Sequence, residues 1–444
     1  MRSLLGNVAF RRLFVGRLVT NAGDSLYAVA AMWLVFELTG STFYTGLAGA
    51  LTMGPQALQA FVGPLVDRWP LRRLLVGIQV TQAVVVLVVP AAWLLGVRSV
   101  ELVLVVVPAL SMLNQFVYPA QSAALPRIVD DDELADANAA FSFAYQGADL
   151  VFNALAGALI ALFGAVALYA IDSLTFLVAA VLFAGVVVPA AGAGDTATHG
   201  AEEAPSAGDA GDAVGDDPAA GPAETDGGES DGSDRGEPDG YLDRLRGGAA
   251  FVRGTPLVWL LGAGVLTNGL LGVSTAVLPA FADTMGGAGA YGAIRAATAE
   301  GLLVGALLGS KLDHVGFARL FVPGFLLSAA GWFAALFAPT LPLTALCFAL
   351  ALLPVGATNV LVSTLIQRMV PDDFLGRVSA ILGSASVAVM PIGSLLGGTL
   401  GETVGVWETM AAGGFGLLWI AVYVAAVPTL RRLPPVSEAR TIAA

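Results

Sequence analysis

A chain of 444 residues with 57% hydrophobic and only 12% charged side chains lies outside the soluble globular class, in which charged residues approach about 25%. The net charge of −13 is local: residues 190–240 hold 14 of the 34 acids and one base, Arg235, and the remainder balances at 20 of each sign. No basic surface is left for nucleic acid, and one cysteine with two histidines offers no disulfide framework, no multi-histidine metal centre and no expected cofactor.

Apolar stretches of about 20 residues, enough to cross a hydrocarbon core of about 30 Å, predict spans at 13–37, 43–66, 74–96, 100–120, 137–163 and 166–189. The first runs past the small-x-small triplet Ala28-Val29-Ala30 and is expected to be retained rather than cleaved. It carries Arg17, Asn21 and Asp24. A spacing of seven puts Arg17 and Asp24 on one helical face, about 10 Å apart along the axis, with Asn21 between them. The loop "GPLVDRWPLRR" (Gly63 to Arg73) separates the second and third spans. In the fifth span Gln146, Asp149 and Asn153 fall at i, i+3 and i+7, again one face. Asp172 lies in the sixth span.

A break follows at 190–256. Its first part, rich in Gly, Ala, Pro, Asp and Glu, cannot bury enough apolar surface to offset ordering and is predicted to be a disordered cytoplasmic tether. "YLDRLRGGAAFVRG" (241–254) reads as a short amphipathic helix on the inner membrane face. Six more spans follow at 257–281, 290–311, 317–338, 341–362, 378–400 and 404–428. The eighth holds Arg295 and Glu300; Glu37 and Asp283 fall near span ends and read as interfacial. Backbone groups in lipid must be satisfied internally, so all the spans should be helices, and the segments lack the short alternating pattern of a barrel. The predicted class is an all-α polytopic membrane protein of twelve helices in two halves, 1–189 and 257–430, with a tail at 431–444.

The bases orient it. With the N-terminus inside, 18 of 21 Lys and Arg fall on one side; Arg98 lands opposite, and Arg17 and Arg295 lie within spans. Cytoplasmic loops collect Lys and Arg, so both termini are expected in the cytoplasm of a cell-membrane protein.

The halves repeat. "GSKLDHVGFARLF" (Gly309 to Phe321) stands where "GPLVDRWPLRRLL" stood, with Asp313 in the place of Asp67. "LPRIVDDDELADANAA" after span 4 is matched by "IQRMVPDDFLGRVSAI" after span 10. Such recurrence marks parallel structural repeats, the arrangement of a rocking transporter.

The first loop resembles the signature of the major facilitator superfamily, with Gly63, Asp67, Arg68, Arg72 and Arg73 in its positions. "FRRLFVGRLVTNAGDSLYAVAAMWLVFELTGS", "PAQSAALPRIV" and "GRVSAILGSASVAVMPIGSLLGG" are similar to the branch containing macrolide-efflux and siderophore-export proteins. The resemblance implies a gate in which Asp67 meets the positive N-terminus of span 11, near Leu375 to Val378. It implies that Arg72 and Arg73 grip acidic lipid or neighbouring acids, and that spans 1 and 5 line a central cavity. Ionisable groups at membrane depth are functional candidates by default. Asp24 and Asp149 are therefore the expected proton-coupling or substrate residues, supported by Arg17, Asn21 and Gln146. The alternative for each is a structural hydrogen bond, which is the expectation for Asp172. Glu300 departs from the family pattern, and an ion pair with Arg295, five residues earlier, fits one face poorly.

The function expected is secondary active export, by alternating access, of a hydrophobic or amphipathic drug or siderophore-like molecule in exchange for protons. The protein is expected to act as a monomer in contact with membrane lipid. Uptake by symport is the alternative, and a polytopic enzyme or sensor the reading from another class. No phosphate-binding Gly-x-x-x-x-Gly-Lys-Ser/Thr loop is present for nucleotide hydrolysis, and no loop offers a nucleophile and base.

Overall fold

A computed structural model describes residues 6–58, 69–186 and 250–439, together with Leu4 and Val66. Every regular element among them is helical. The first half holds α1 (Val8–Thr39), α2 (Thr42–Met53), α3 (Leu71–Leu94), α4 (Val100–Arg127), α5 (Leu134–Phe163) and α6 (Ala165–Ala184). The second holds α7 (Leu257–Asp283), α8 (Ala288–Gly309), α9 (Phe317–Leu336), α10 (Leu341–Met369), α11 (Asp372–Thr403) and α12 (Val406–Ala426). Ten of these are long and apolar enough to cross a membrane, and α5, bent by 42° between Asn153 and Leu155, makes an eleventh. The last, α2, continues as a 3-10 turn over Gly54–Leu58 toward 59–65, outside the described residues. Each of the twelve predicted spans thus overlaps a helix, the second only over its described first part.

The ends depart from the sequence reading where charge and helix part company. Hydropathy starts span 1 at 13, yet α1 begins at Val8, because the Asn7 side chain caps it by accepting from the Ala9 and Phe10 amides at 3.0 and 3.1 Å. At the other end Gly40, at φ 62°, closes α1 in the left-handed conformation that costs glycine nothing. Likewise α10 runs on to Met369 and α11 begins at Asp372, not 378. Polar helix ends project beyond the apolar core. The single span expected at 100–120 is instead broken after Asn114 and resumed over Val117–Ala124. Pro119 has no N–H, and its ring crowds the carbonyl four residues back, at Gln115. Residues 250–254 are helical; the rest of the predicted amphipathic helix and the acidic segment lie outside the described residues.

Packing reproduces the repeat. α1 lies against α5 and α6, and α3 against α6; six helices later α7 lies against α11 and α12, and α9 against α12. The two halves meet through α2 with α11 and through α5 with α8, pairs that the same six-helix shift interchanges. These contacts gather at the end of the bundle remote from the termini and the arginine-rich loops. There Gly157 and Gly292 stand backbone to backbone, so that a Cβ on either would strike the other. Trp33 stacks on Tyr291 at 5.8 Å, Ser394 Oγ donates to Gly46 O at 3.1 Å, and Thr42 Oγ1 donates to Gly398 O at 2.9 Å. One buried core runs through both halves at this level, from Tyr27–Val35 to Val277–Ile294. At the basic end two further cores are separate, one made by Phe10, Leu13, Leu75 and Phe141, the other by Leu257, Val378 and Leu382. Among the described residues the halves are packed together at the far end, and at the basic end the cores of Phe10–Phe141 and of Leu257–Leu382 stay separate.

Candidate functional site

Three cavities occupy the parted side. The first, about 460 Å³, is lined by α1, the 3-10 turn after α2, α4 and α5, mostly through polar residues: Arg17 and Asn21 face Asn114, Gln121 and Tyr145 across it. The second, about 660 Å³, lies between the halves and holds Asp149 and Asn153 from α5 with Arg295 from α8. The third, about 490 Å³, is largely apolar, with Leu261, Phe325, Val362 and Ile366 in its wall. The first two adjoin along α5, where Tyr145 lines one and Asp149 the other. The last two share Asn359 and Ser363.

Asp149 is open to the second cavity and hydrogen-bonded to Ser25 of α1. Ser25 Oγ also lies 2.7 Å from Asn21 O, one turn back. The hydroxyl has one proton and two acceptors. With Asp149 ionised it can serve only one of them. With Asp149 protonated, the acid donates to Oγ and Oγ donates to Asn21 O, so both bonds form at once.

One turn further, Asn153 Nδ2 donates to Asp149 O at 2.7 Å, and its Oδ1 lies 3.5 Å from Arg295 Nη2 across the boundary between halves. The predicted face of α5 is real for Asp149 and Asn153; nothing is described of the Gln146 side chain. Asp24 is half-buried and within electrostatic range of Arg17, Asp149 and Asp172. Arg17 and Asn21 are 5% and 6% exposed.

Other predicted residues stand apart. Arg295 turns to Asn153 rather than to Glu300, so the weak ion-pair reading is replaced. Residues 295 and 300 differ by about 140° around an α-helix. Glu300 is exposed and lines none of the three cavities. Asp172 is fully buried, with Thr175 Oγ1 donating to its Oδ1 at 3.1 Å and its Oδ2 without a hydrogen-bond partner. Arg72 and Arg73 are exposed at the start of α3. Asp313 lies 3.9 Å from His314 Nδ1, and its backbone carbonyl accepts from the Ser437 amide at 3.0 Å. Gly63, Asp67 and Arg68 lie outside the described residues. Glu37 and Asp283 are exposed near helix ends, where the sequence put them.

The amides of α4 line the first cavity, and hydropathy passed over them. Asn114, Gln115 and Gln121 sit at the tail of an apolar run, and the signal available was their density there: amides in a span need partners or water.

Residues 3–192 match a family model described as transmembrane secretion effector. The enterobactin exporter EntS of Escherichia coli is 33% identical over 189 residues, covering 41% of this chain and 44% of the exporter; the EntS protein of Shigella boydii aligns to the same extent. The match thus spans less than half the length of those relatives. Among solved structures, a bacterial homologue of the lysosomal transporter Spinster, inward-facing and unoccupied, superposes with a TM-score of 0.67 at 14% identity, covering 96% of this chain and 97% of that one. The nucleoside transporter NupG gives 0.64 at 11%, over 94% and 98%. A bacterial homologue of ferroportin gives 0.61 at 13%, over 94% and 98%. At these identities the likeness is one of fold.

Proposed function

We propose that this chain, which has the major facilitator fold and resembles the siderophore-exporter branch through its N-terminal half, is a secondary active transporter exporting an amphipathic small molecule in exchange for protons. The observation that carries the reading is the setting of Asp149. A titratable carboxyl faces a cavity lined by both halves, is bonded to α1 through Ser25, and lies one turn from the Asn153–Arg295 contact that crosses between them. A group so placed can register a proton in the packing that alternation must change.

The fold and the three adjoining cavities support alternating access. With the termini in the cytoplasm, as the basic residues favour, the parted end faces inward. The N-terminal resemblance to enterobactin exporters supports export and makes a siderophore-like molecule a candidate cargo. Neighbouring polar and apolar cavities suit an amphipathic one. In this reading Asp67 latches the inner side to the start of α11, assisted by Gly63, Arg68, Arg72 and Arg73. Asp313 occupies the equivalent place in the second half, 190–256 tethers the halves, and the protein works as a monomer in the cell membrane.

The test is flux in proteoliposomes under an imposed pH gradient, with internal pH followed alongside substrate. Export requires protons to move against the substrate. Protons moving with it would establish symport and overturn the reading.

A further inference from the structure

We infer that the 460 Å³ cavity of the N-terminal half is a binding site for an organic oxyanion, with Arg17 as its charge partner. The inference rests on the transporter reading, whose substrate it narrows from amphipathic in general to anionic.

Arg17 lies well inside the membrane-spanning bundle, on α1. It is 5% exposed, and a buried guanidinium is costly unless paired and hydrogen-bonded. Yet among the described residues no carboxylate is within ion-pair distance of it. Its Nε is buried with no hydrogen-bond partner, and Nη1 makes a single long bond, 3.4 Å, to Thr20 Oγ1. Asp24 is the one acid on its own face, two turns away, in electrostatic range but not in contact. The guanidinium is left facing a cavity with no acidic residue in its wall.

The rest of the wall fits the same ligand. Carboxamides from α1, α4 and the 3-10 turn after α2 (Asn21, Gln56, Asn114 and Gln121) and the phenol of Tyr145 surround the space. Amide and phenol groups donate to oxygen acceptors at any orientation the ligand presents, and the planar fork of an arginine suits a carboxylate or other oxyanion in two-point contact. A cationic ligand would meet the guanidinium in a cavity whose wall holds no acid to compensate it. Phe141 gives one apolar surface, enough for an aromatic ring. These features select an oxygen-rich aromatic or aliphatic anion over a lipophilic cation.

The test uses binding alone, on the full chain in nanodiscs of zwitterionic phosphatidylcholine, so that no anionic headgroup competes. Three probes share one ring system: 1-naphthoate, 1-naphthamide and 1-naphthylmethylammonium. Equilibrium dialysis, corrected for empty nanodiscs, should show naphthoate bound about tenfold more tightly than either other probe, with the preference shrinking as salt rises. Arg17→Gln should abolish the preference, and Arg17→Lys should keep part of it. Equal affinities, a preference for the cation, or no binding of any probe by the wild type would overturn the inference. So would undiminished naphthoate preference in an Arg17→Gln protein of normal melting temperature. If Arg17→Gln does not fold, the wild-type ranking and the Arg17→Lys protein decide. The two readings fail separately. Arginine-dependent anion binding without flux would sink transport alone, and flux without anion preference would sink this site alone.

Discussion

Among the carboxyl groups at membrane depth, surroundings separate the roles. Asp149 is open to a cavity and tied to another helix through a hydroxyl that can either donate or accept. Asp172 is sealed between helices and bonded within its own. Glu300 faces none of the cavities. Replacing Asp149 by Asn keeps the shape and the bond to Ser25 but removes titration. The expected outcome is loss of pH-driven flux with downhill exchange of substrate largely retained, measured in the same proteoliposomes. A carboxyl that served only packing would lower both together. Ser25→Ala should slow driven flux about tenfold, because a hydrogen bond to a charged group contributes roughly 1.5–3 kcal/mol. It should leave protein yield near normal. Unaltered driven flux in both variants would transfer the coupling role to Asp24.

At the scale of the helix, closure of the far end depends on residues that carry no side chain. α5 and α8 touch at Gly157 and Gly292, and α2 meets α11 where Gly46 faces Ser394 and Gly398. Small residues let backbones approach where apolar area offers no drive, since lipid is as apolar as leucine. Gly157→Val should therefore open the far end. Overpacking costs roughly 1–3 kcal/mol, enough to shift a two-state ratio by about tenfold. Spin labels at Val97 and Thr340, one in each half at that end, should report a longer distance population. An unchanged distribution would show that this contact does not hold the closed state. The opposite end has its own expected latch. Asp67→Asn should weaken inner closure by roughly 0.3–2 kcal/mol, the size of a charge–helix-dipole interaction. Labels at the basic ends of α3 and α9 would then move apart on average.

For the whole molecule, the six-helix shift that relates α1–α6 to α7–α12 also interchanges the two contacts between halves. In the proposed transport cycle a pair of pseudo-equivalent seams would let one half rock against the other without either unfolding. The acidic segment 190–240 lies outside the described residues. Its shortening by half should leave flux in proteoliposomes within about twofold, provided the remaining length still spans the halves. Loss of flux from a correctly inserted, shortened protein would show that the segment does more than connect.

Periodicity and composition were sufficient for the helices, because lipid leaves a backbone no alternative to internal hydrogen bonding. Runs of apolar residues could be counted into twelve spans, and the repeated loop motifs divided them into two sixes without any knowledge of packing. The positions of Arg17, Asn21, Asp24 and Asp149 were legible for a related reason: a polar group in an apolar run is costly, so its presence is itself a signal. Partners were not legible. Seven residues on one helix say that Arg17 and Asp24 share a face, but not that Asp24 leaves the guanidinium without contact. Nor does any spacing tell that Ser25 meets Asp149, 124 residues away, or that Arg295 reaches Asn153 rather than Glu300. The break in α4, and the amides it turns into the cavity, follow from Pro119 only once neighbouring helices fix the direction of the bend. Side-chain partners across helices depend on how helices cross and rotate. Those angles are set by close packing of many small residues at once, which no single segment encodes.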